Sequence, residues 1–204
     1  MRVILSCIFF NKARKKWLEA SPFYVKPRQI IKLPPTIDTR VNDVINHSLL
    51  AEKIVYQYVP ILESVKALLA HNEIRNEYFK SVNNANETDS FYTSVNYKHN
   101  ELYINFPDAI QIILYMDDFG TTSPCKDTKN DYKITGVYFK LGNLPGRFQG
   151  CNHFTQLALI CFPEDLKRLG YEEVFEPIID DILTLETVGI DIKHENKLVN
   201  LKGG

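Results

Sequence analysis

No surplus of either charge marks this sequence of 204 residues: 24 Lys and Arg stand against 25 Asp and Glu, a net charge of −1. Nucleic-acid proteins usually carry a basic excess, so overall charge points to no polyanionic partner. The four cysteines, at positions 7, 125, 151 and 161, include no CxxC pair. Such spacing argues against a disulfide framework and for free thiols in a reducing, intracellular compartment. Cys151, His153 and Cys161 suggest zinc at most weakly, because no paired ligands accompany them. Long apolar runs are missing too. Residues 3–10 are apolar but too few to span a bilayer, and as a leader they lack a small-residue cleavage site. No membrane association is expected. Asn46-His47-Ser48 and Asn86-Glu87-Thr88 fit the glycosylation pattern, which matters only in a secreted chain.

Cations do gather locally. Lys12, Arg14, Lys15, Lys16, Lys26, Arg28 and Lys32 fall within the first 40 residues, among Pro22, Pro27, Pro34 and Pro35. This segment reads as a basic arm with little regular structure, with phosphate contact as the sharper alternative. Trp17 within it either anchors the arm or stacks on a base. From Val41 the pattern turns helical, with Val44, Ile45, Leu49, Ile54, Val55 and Tyr58 sharing a broad face. Pro60 suits the first turn of a second helix, in which Ile61, Val65, Leu68 and Leu69 recur at helical spacing. Residues 73–80 add a turn or two, and 83–100 read as a polar loop or domain boundary.

Beyond this loop the pattern predicts strands at 109–117, 133–141 and 155–161. A short helix opens at Pro163 and stops at Gly170. A longer one covers 172–188, with Pro177 in its first turn or at a kink. Residues 190–192 and 197–201 then pair around 194–196. Short connections make the first three strands antiparallel neighbours. The predicted layout is a basic arm (1–40), a helical region with a polar loop (41–100) and an α+β core (101–204).

The most informative stretch is Ala109-Ile110-Gln111-Ile112-Ile113-Leu114-Tyr115-Met116-Asp117-Asp118-Phe119. An apolar run that calls for burial ends in two adjacent carboxylates. Acids at the end of a buried strand hold hard divalent cations such as Mg²⁺ or Mn²⁺ at a fixed point. Solvent exposure or capping of loop backbone is the simpler role for the same pair. Tyr115-Met116-Asp117-Asp118 also spells the active-site tetrapeptide of many reverse transcriptases. A polymerase palm needs this pair in a tight hairpin and a third acid on an upstream strand. Here Gly120-Thr121-Thr122-Ser123-Pro124 follows, and Asp38, Asp43, Asp89 and Asp108 sit in loop or helical context.

A longer resemblance covers about 55–190. It is carried by Tyr58-Val59-Pro60-Ile61-Leu62, by Ile112 to Phe119, and by Gly136-Val137-Tyr138-Phe139-Lys140-Leu141-Gly142-Asn143-Leu144-Pro145. It continues in Asp165-Leu166-Lys167-Arg168-Leu169-Gly170, Pro177-Ile178-Ile179-Asp180-Asp181 and Leu185-Glu186-Thr187-Val188-Gly189-Ile190. In these blocks the sequence resembles the transposase-like proteins of animal cut-and-paste DNA transposons, of the KDZ and Plavaka type, whose cores are ribonuclease H-like. The resemblance implies three antiparallel strands and a helix forming the first half of such a core. It implies Asp117 as the first of three metal-holding carboxylates, with Asp118 the next candidate, and Mg²⁺ or Mn²⁺ as the ancestral cofactor. It implies DNA as ancestral partner and the nucleus as ancestral site of action. Ser123-Pro124-Cys125-Lys126 departs from the Asn-Pro-Leu-Gly-like stretch of relatives. The second and third acids are expected beyond the long helix, on segments this sequence does not contain. The resulting expectation is a truncated transposase remnant without catalysis of its own. The alternative is a transposon-derived interaction module that associates with itself or a partner, nuclear or cytoplasmic, through an open sheet edge.

Overall fold

The computed structural model describes residues 19–33, 53–83, 94–120, 133–149 and 154–204. Lys12, Arg14, Lys15, Lys16, Trp17, the part of the expected helical face that precedes residue 53 (Val44, Ile45 and Leu49), both glycosylation patterns, Cys7, Cys125, Cys151 and His153 lie outside these residues. The strands are β1 (Arg28–Lys32), β2 (Ile54–Tyr58), β3 (Ile112–Gly120), β4 (Lys133–Leu141), β5 (Gln156–Cys161), β6 (Ile190–His194) and β7 (Lys197–Leu201). The helices are α1 (Ile61–Ala70), α2 (Asn72–Asn83), α3 (Val95–His99), α4 (Glu101–Asn105), α5 (Gly146–Gln149), α6 (Pro163–Leu169) and α7 (Tyr171–Thr187). The chain is thus an α+β protein.

The main sheet runs β1-β2-β5-β4-β3, and every neighbouring pair is antiparallel. The consecutive strands β3, β4 and β5 form a meander, as short connections favour. Two strands lie where the sequence pattern suggested none. Arg28–Lys32 falls in the supposed arm, and Ile54–Tyr58 on the supposed helical face. In β2 the alternation decides: Ile54, Tyr56 and Tyr58 are buried while Val55 and Gln57 are half-buried. Period two outweighs the looser helical spacing, and β-branched and aromatic residues favour the pleat.

One face of the sheet packs on α1, α2, α6 and α7 around Tyr56, Val65, Leu69, Phe139, Leu159 and Ile178. Helix α1 shows the expected face, with Ile61, Val65, Leu68 and Leu69 buried. Its first turn lacks a side-chain cap of its own. Asp181 of α7 fills the gap, its Oδ2 accepting from the Leu62 backbone N–H at 3.2 Å and from the Tyr58 hydroxyl at 2.5 Å. Pro177 lies inside α7 and has no N–H to give the carbonyl of Glu173. The hydroxyl of Tyr56 donates to that carbonyl instead, at 3.3 Å. Lys32 binds Glu173 and Glu176 at 2.6 and 2.7 Å, tying β1 to the same helix. The β6–β7 hairpin pairs as expected, turning through Glu195 and Asn196, both at positive φ.

Candidate functional site: the free edge of the acid-bearing strand

The entry to β3 is fixed by a buried amide. Asn143 donates to the Ala109 carbonyl at 2.8 Å and accepts from the Gln111 N–H at 3.3 Å. Tyr78 donates to the adjoining Asp108 carbonyl. From this anchor β3 runs alongside β4 from Ile112, opposite Leu141, to Gly120, opposite Lys133. The strand therefore passes through the acids and does not end at Asp117.

Its position also differs from the buried ribbon its composition suggested. β3 is the last strand of the sheet. Ile113, Leu114, Tyr115 and Met116 are 37–44% exposed. Strand order causes this. β2 and β1 extend the sheet from the β5 side of the meander, so among the described residues β3 keeps one neighbour along most of its length.

Strand alternation sends the two acids to opposite faces. Asp118 lies on the helix-bearing face, opposite Thr135, which is itself opposite Cys161. The buried Thr135 hydroxyl donates to Asp118 Oδ1 at 2.5 Å. Burial, with Asp165 and Asp118 nearby, pushes the Cys161 thiol up to about 12, so it stays protonated and inert. Asp117 lies on the other face, opposite Gly136. Across this glycine folds the ring of Tyr138; a Cβ there would meet the phenol oxygen at 2.6 Å. Tyr115 stacks on Tyr138 at 5.4 Å. Burial chiefly, then Tyr115 and Asp117, raise the Tyr138 phenol above its ordinary value.

One ion cannot be held by both acids in this arrangement. Asp118 has an oxygen engaged by Thr135, and each face receives a single carboxylate from β3. Among the described residues no group of three or more His, Cys, Asp or Glu is placed to hold a metal ion. The donor set for a two-metal centre is therefore not assembled by these residues. Asp181 caps α1, and Asp191 accepts from Asn200 at 2.8 Å. The hairpin of a polymerase palm is not reproduced either: residues 121–132 separate β3 from β4, and β4 carries no acid.

The edge begins with a partner already in place. Lys202–Gly204 runs parallel to 110–112. Ile110 N–H donates to the Lys202 carbonyl at 2.7 Å, Gly204 N–H to the Ile110 carbonyl at 3.0 Å, and Ile112 N–H to the Gly204 carbonyl at 2.9 Å. Gly203 N–H also reaches the Leu185 carbonyl at 3.3 Å, while Lys202 Nζ donates to the Thr187 carbonyl at the end of α7. Only glycine fits at 203, where a Cβ would lie 2.6 Å from the Ile110 oxygen. Beyond Ile112 the alternation continues, so the backbone groups of Leu114, Met116, Asp118 and Gly120 face away from β4. No described residue pairs with them.

Sequence reasoning singled out Asp117 and Asp118 and expected an open sheet edge, but it took the acid-bearing strand for a buried one and did not foresee the segment that lies against its start. A signal was present: charges within an otherwise apolar strand are a known mark of edge strands. A separate recess of about 290 Å³ lies between α1 and β6, lined by Lys66, Arg75, Asp191 and Lys193. Arg75 there is occupied with the Leu69 and Ala70 carbonyls that close α1 and with Asn72. No helix among the described residues is long and apolar enough to cross a membrane. A scan against models of known protein families matches none, and a search of characterised proteins returns no match.

Proposed function

We propose that this chain is a protein-interaction module of DNA-transposase ancestry, working through the free edge of β3. The observation that carries the docking role is the exposed apolar run Ile113 to Met116 on a strand with one long neighbour among the described residues. An edge of this kind recruits another strand. The ancestry has its own support. The resemblance calls for a further core strand beyond the long helix, and Lys202–Gly204, beyond α7, lies against the acid-bearing strand. Asp117 is then the inherited first carboxylate, with its metal role lost. Association rather than DNA cleavage is the activity of the chain.

Amide hydrogen exchange tests the edge. The N–H groups of Leu114, Met116 and Asp118 should exchange quickly, and those of Ile113, Tyr115 and Asp117, which face β4, slowly. Equal protection of both sets in the isolated chain would remove the docking surface. Nicking and strand-transfer assays with Mn²⁺ test the loss of catalysis: wild type and Asp117→Ala should both be inactive. Cleavage that depends on Asp117 would restore the enzyme reading.

A further inference from the structure

The recess between α1 and β6 gathers cations from three elements, none of them β3. Lys66 shares a face of α1 with Leu69 and Ala70. Asp191 and Lys193, alternate residues of β6, project to one side of that strand, and both are exposed. Arg75 reaches in from α2. Three cations thus surround a space of about 290 Å³ with a single carboxylate among them, and Leu69, Ala70 and Ile192 give it an apolar wall.

The fold does not use these charges up. Elsewhere cations find acids: Lys32 takes two glutamates, and Arg28 and Arg147 one each. Lys66, Arg75 and Lys193 form no ion pair among the described residues, and Asp191 is engaged by Asn200 instead. Arg75 donates to the Leu69 and Ala70 carbonyls at 3.1 and 3.0 Å. That contact offsets the partial negative charge at the carboxyl end of α1, which would otherwise repel an anion. The Arg75 Nε–H is enclosed and meets no acceptor. A buried donor left unmet is uncommon and calls for an explanation.

We propose that this recess binds a small hydroxylated phosphate monoester, such as a sugar phosphate, with Lys66, Arg75 and Lys193 around the phosphate. Three cations against one carboxylate leave an excess of two positive charges. A phosphate monoester near neutral pH carries close to two negative charges, whereas a carboxylate or a phosphodiester carries one. Guanidinium and ammonium donors suit its oxygens. Asn200 occupies only Oδ1 of Asp191, so Oδ2 accepts a ligand hydroxyl. The volume lies at the small end of ligand pockets, which suits a sugar phosphate. The site is separate from the β3 edge and does not depend on the docking role.

Calorimetric titration of the full chain at low salt tests the proposal with four probes: ribose 5-phosphate, its methyl phosphodiester, ribose and inorganic phosphate. Ribose 5-phosphate should bind with a Kd of about 0.1–1 mM, the diester and inorganic phosphate about tenfold more weakly, and ribose not at all. Lys66→Gln and Lys193→Gln should each weaken ribose 5-phosphate by about tenfold. Their urea midpoints should not move, because both side chains are exposed. Asp191→Asn should strengthen inorganic phosphate and narrow the preference for the sugar phosphate. Absence of saturable binding, or binding that both lysine variants leave unchanged, would overturn the proposal. Equal affinity for monoester and diester would overturn the charge match. A DNA duplex that binds more tightly than ribose 5-phosphate and loses affinity in the same variants would make the recess part of a nucleic-acid surface and defeat the small-ligand assignment.

Discussion

β3 and β4 are each nine residues long and pair along their whole length, yet they live in different solvents. β4 has β5 on its other side, and Val137, Phe139 and Leu141 are 0–2% exposed. Among the described residues β3 has no such second neighbour beyond Ile112, and its equally apolar Leu114 and Met116 are 37% and 44% exposed. Composition makes both segments strands. Place in the sheet alone decides which one is core and which is contact surface.

Truncation on the two strands should expose that difference most sharply. Phe139→Ala should cost about 3–5 kcal/mol in urea unfolding, since it empties a closed site. Met116→Ala should stay within about 0.5 kcal/mol. Comparable losses would mean that the β3 edge is covered in the isolated chain. A smaller effect probes the well-paired half. Tyr56→Phe should cost about 1 kcal/mol by orphaning the Glu173 carbonyl. In a Pro177→Ala background that cost should shrink, because the alanine brings a backbone N–H of its own to the same oxygen; a double-mutant cycle measures the coupling.

The mildest effect concerns alkaline pH. The Cys161 thiol rises from about 9.0 to about 12 in the fold, chiefly by burial. Unfolded chains surrender that proton first. The stabilisation is therefore whole below about pH 9 and is lost as pH climbs toward 12. Tyr56, Tyr58, Tyr97, Tyr103 and Tyr138, all raised, add to the decline at higher pH. Cys161→Ala should flatten the decline between about pH 9 and 10, before tyrosine ionisation dominates. An unchanged profile there would show that the β5 thiol is less enclosed than its place in the sheet implies.

Local pattern carried much of this fold. The meander, α1, α6, α7 and the β6–β7 hairpin were legible because apolar spacing and turn residues agreed within each segment. β2 was not, since Ile54, Val55 and Tyr58 satisfy a helical face as well as a strand. β1 was hidden by its cations, which now grip Glu63, Glu173 and Glu176 on helices remote in sequence. At the candidate site the identity of the acids was legible and their geometry was not. The opposed faces of Asp117 and Asp118 follow once the strand is known to run on to Gly120. The edge position depends on Tyr58 lying opposite Leu159, a pairing that no local spacing encodes.

The cap that Asp181 places on α1 has a consequence for biosynthesis. Leu62 and Asp181 are 119 positions apart. At a translation pace of 5–20 residues per second, roughly 6–24 s pass between the emergence of one and the other. Throughout that interval a nascent chain carries Ile54, Tyr56 and Ile61 without their lids. Ribosome-bound holdases are the natural guardians of such a delay, and slowing elongation should lengthen their stay on this polypeptide.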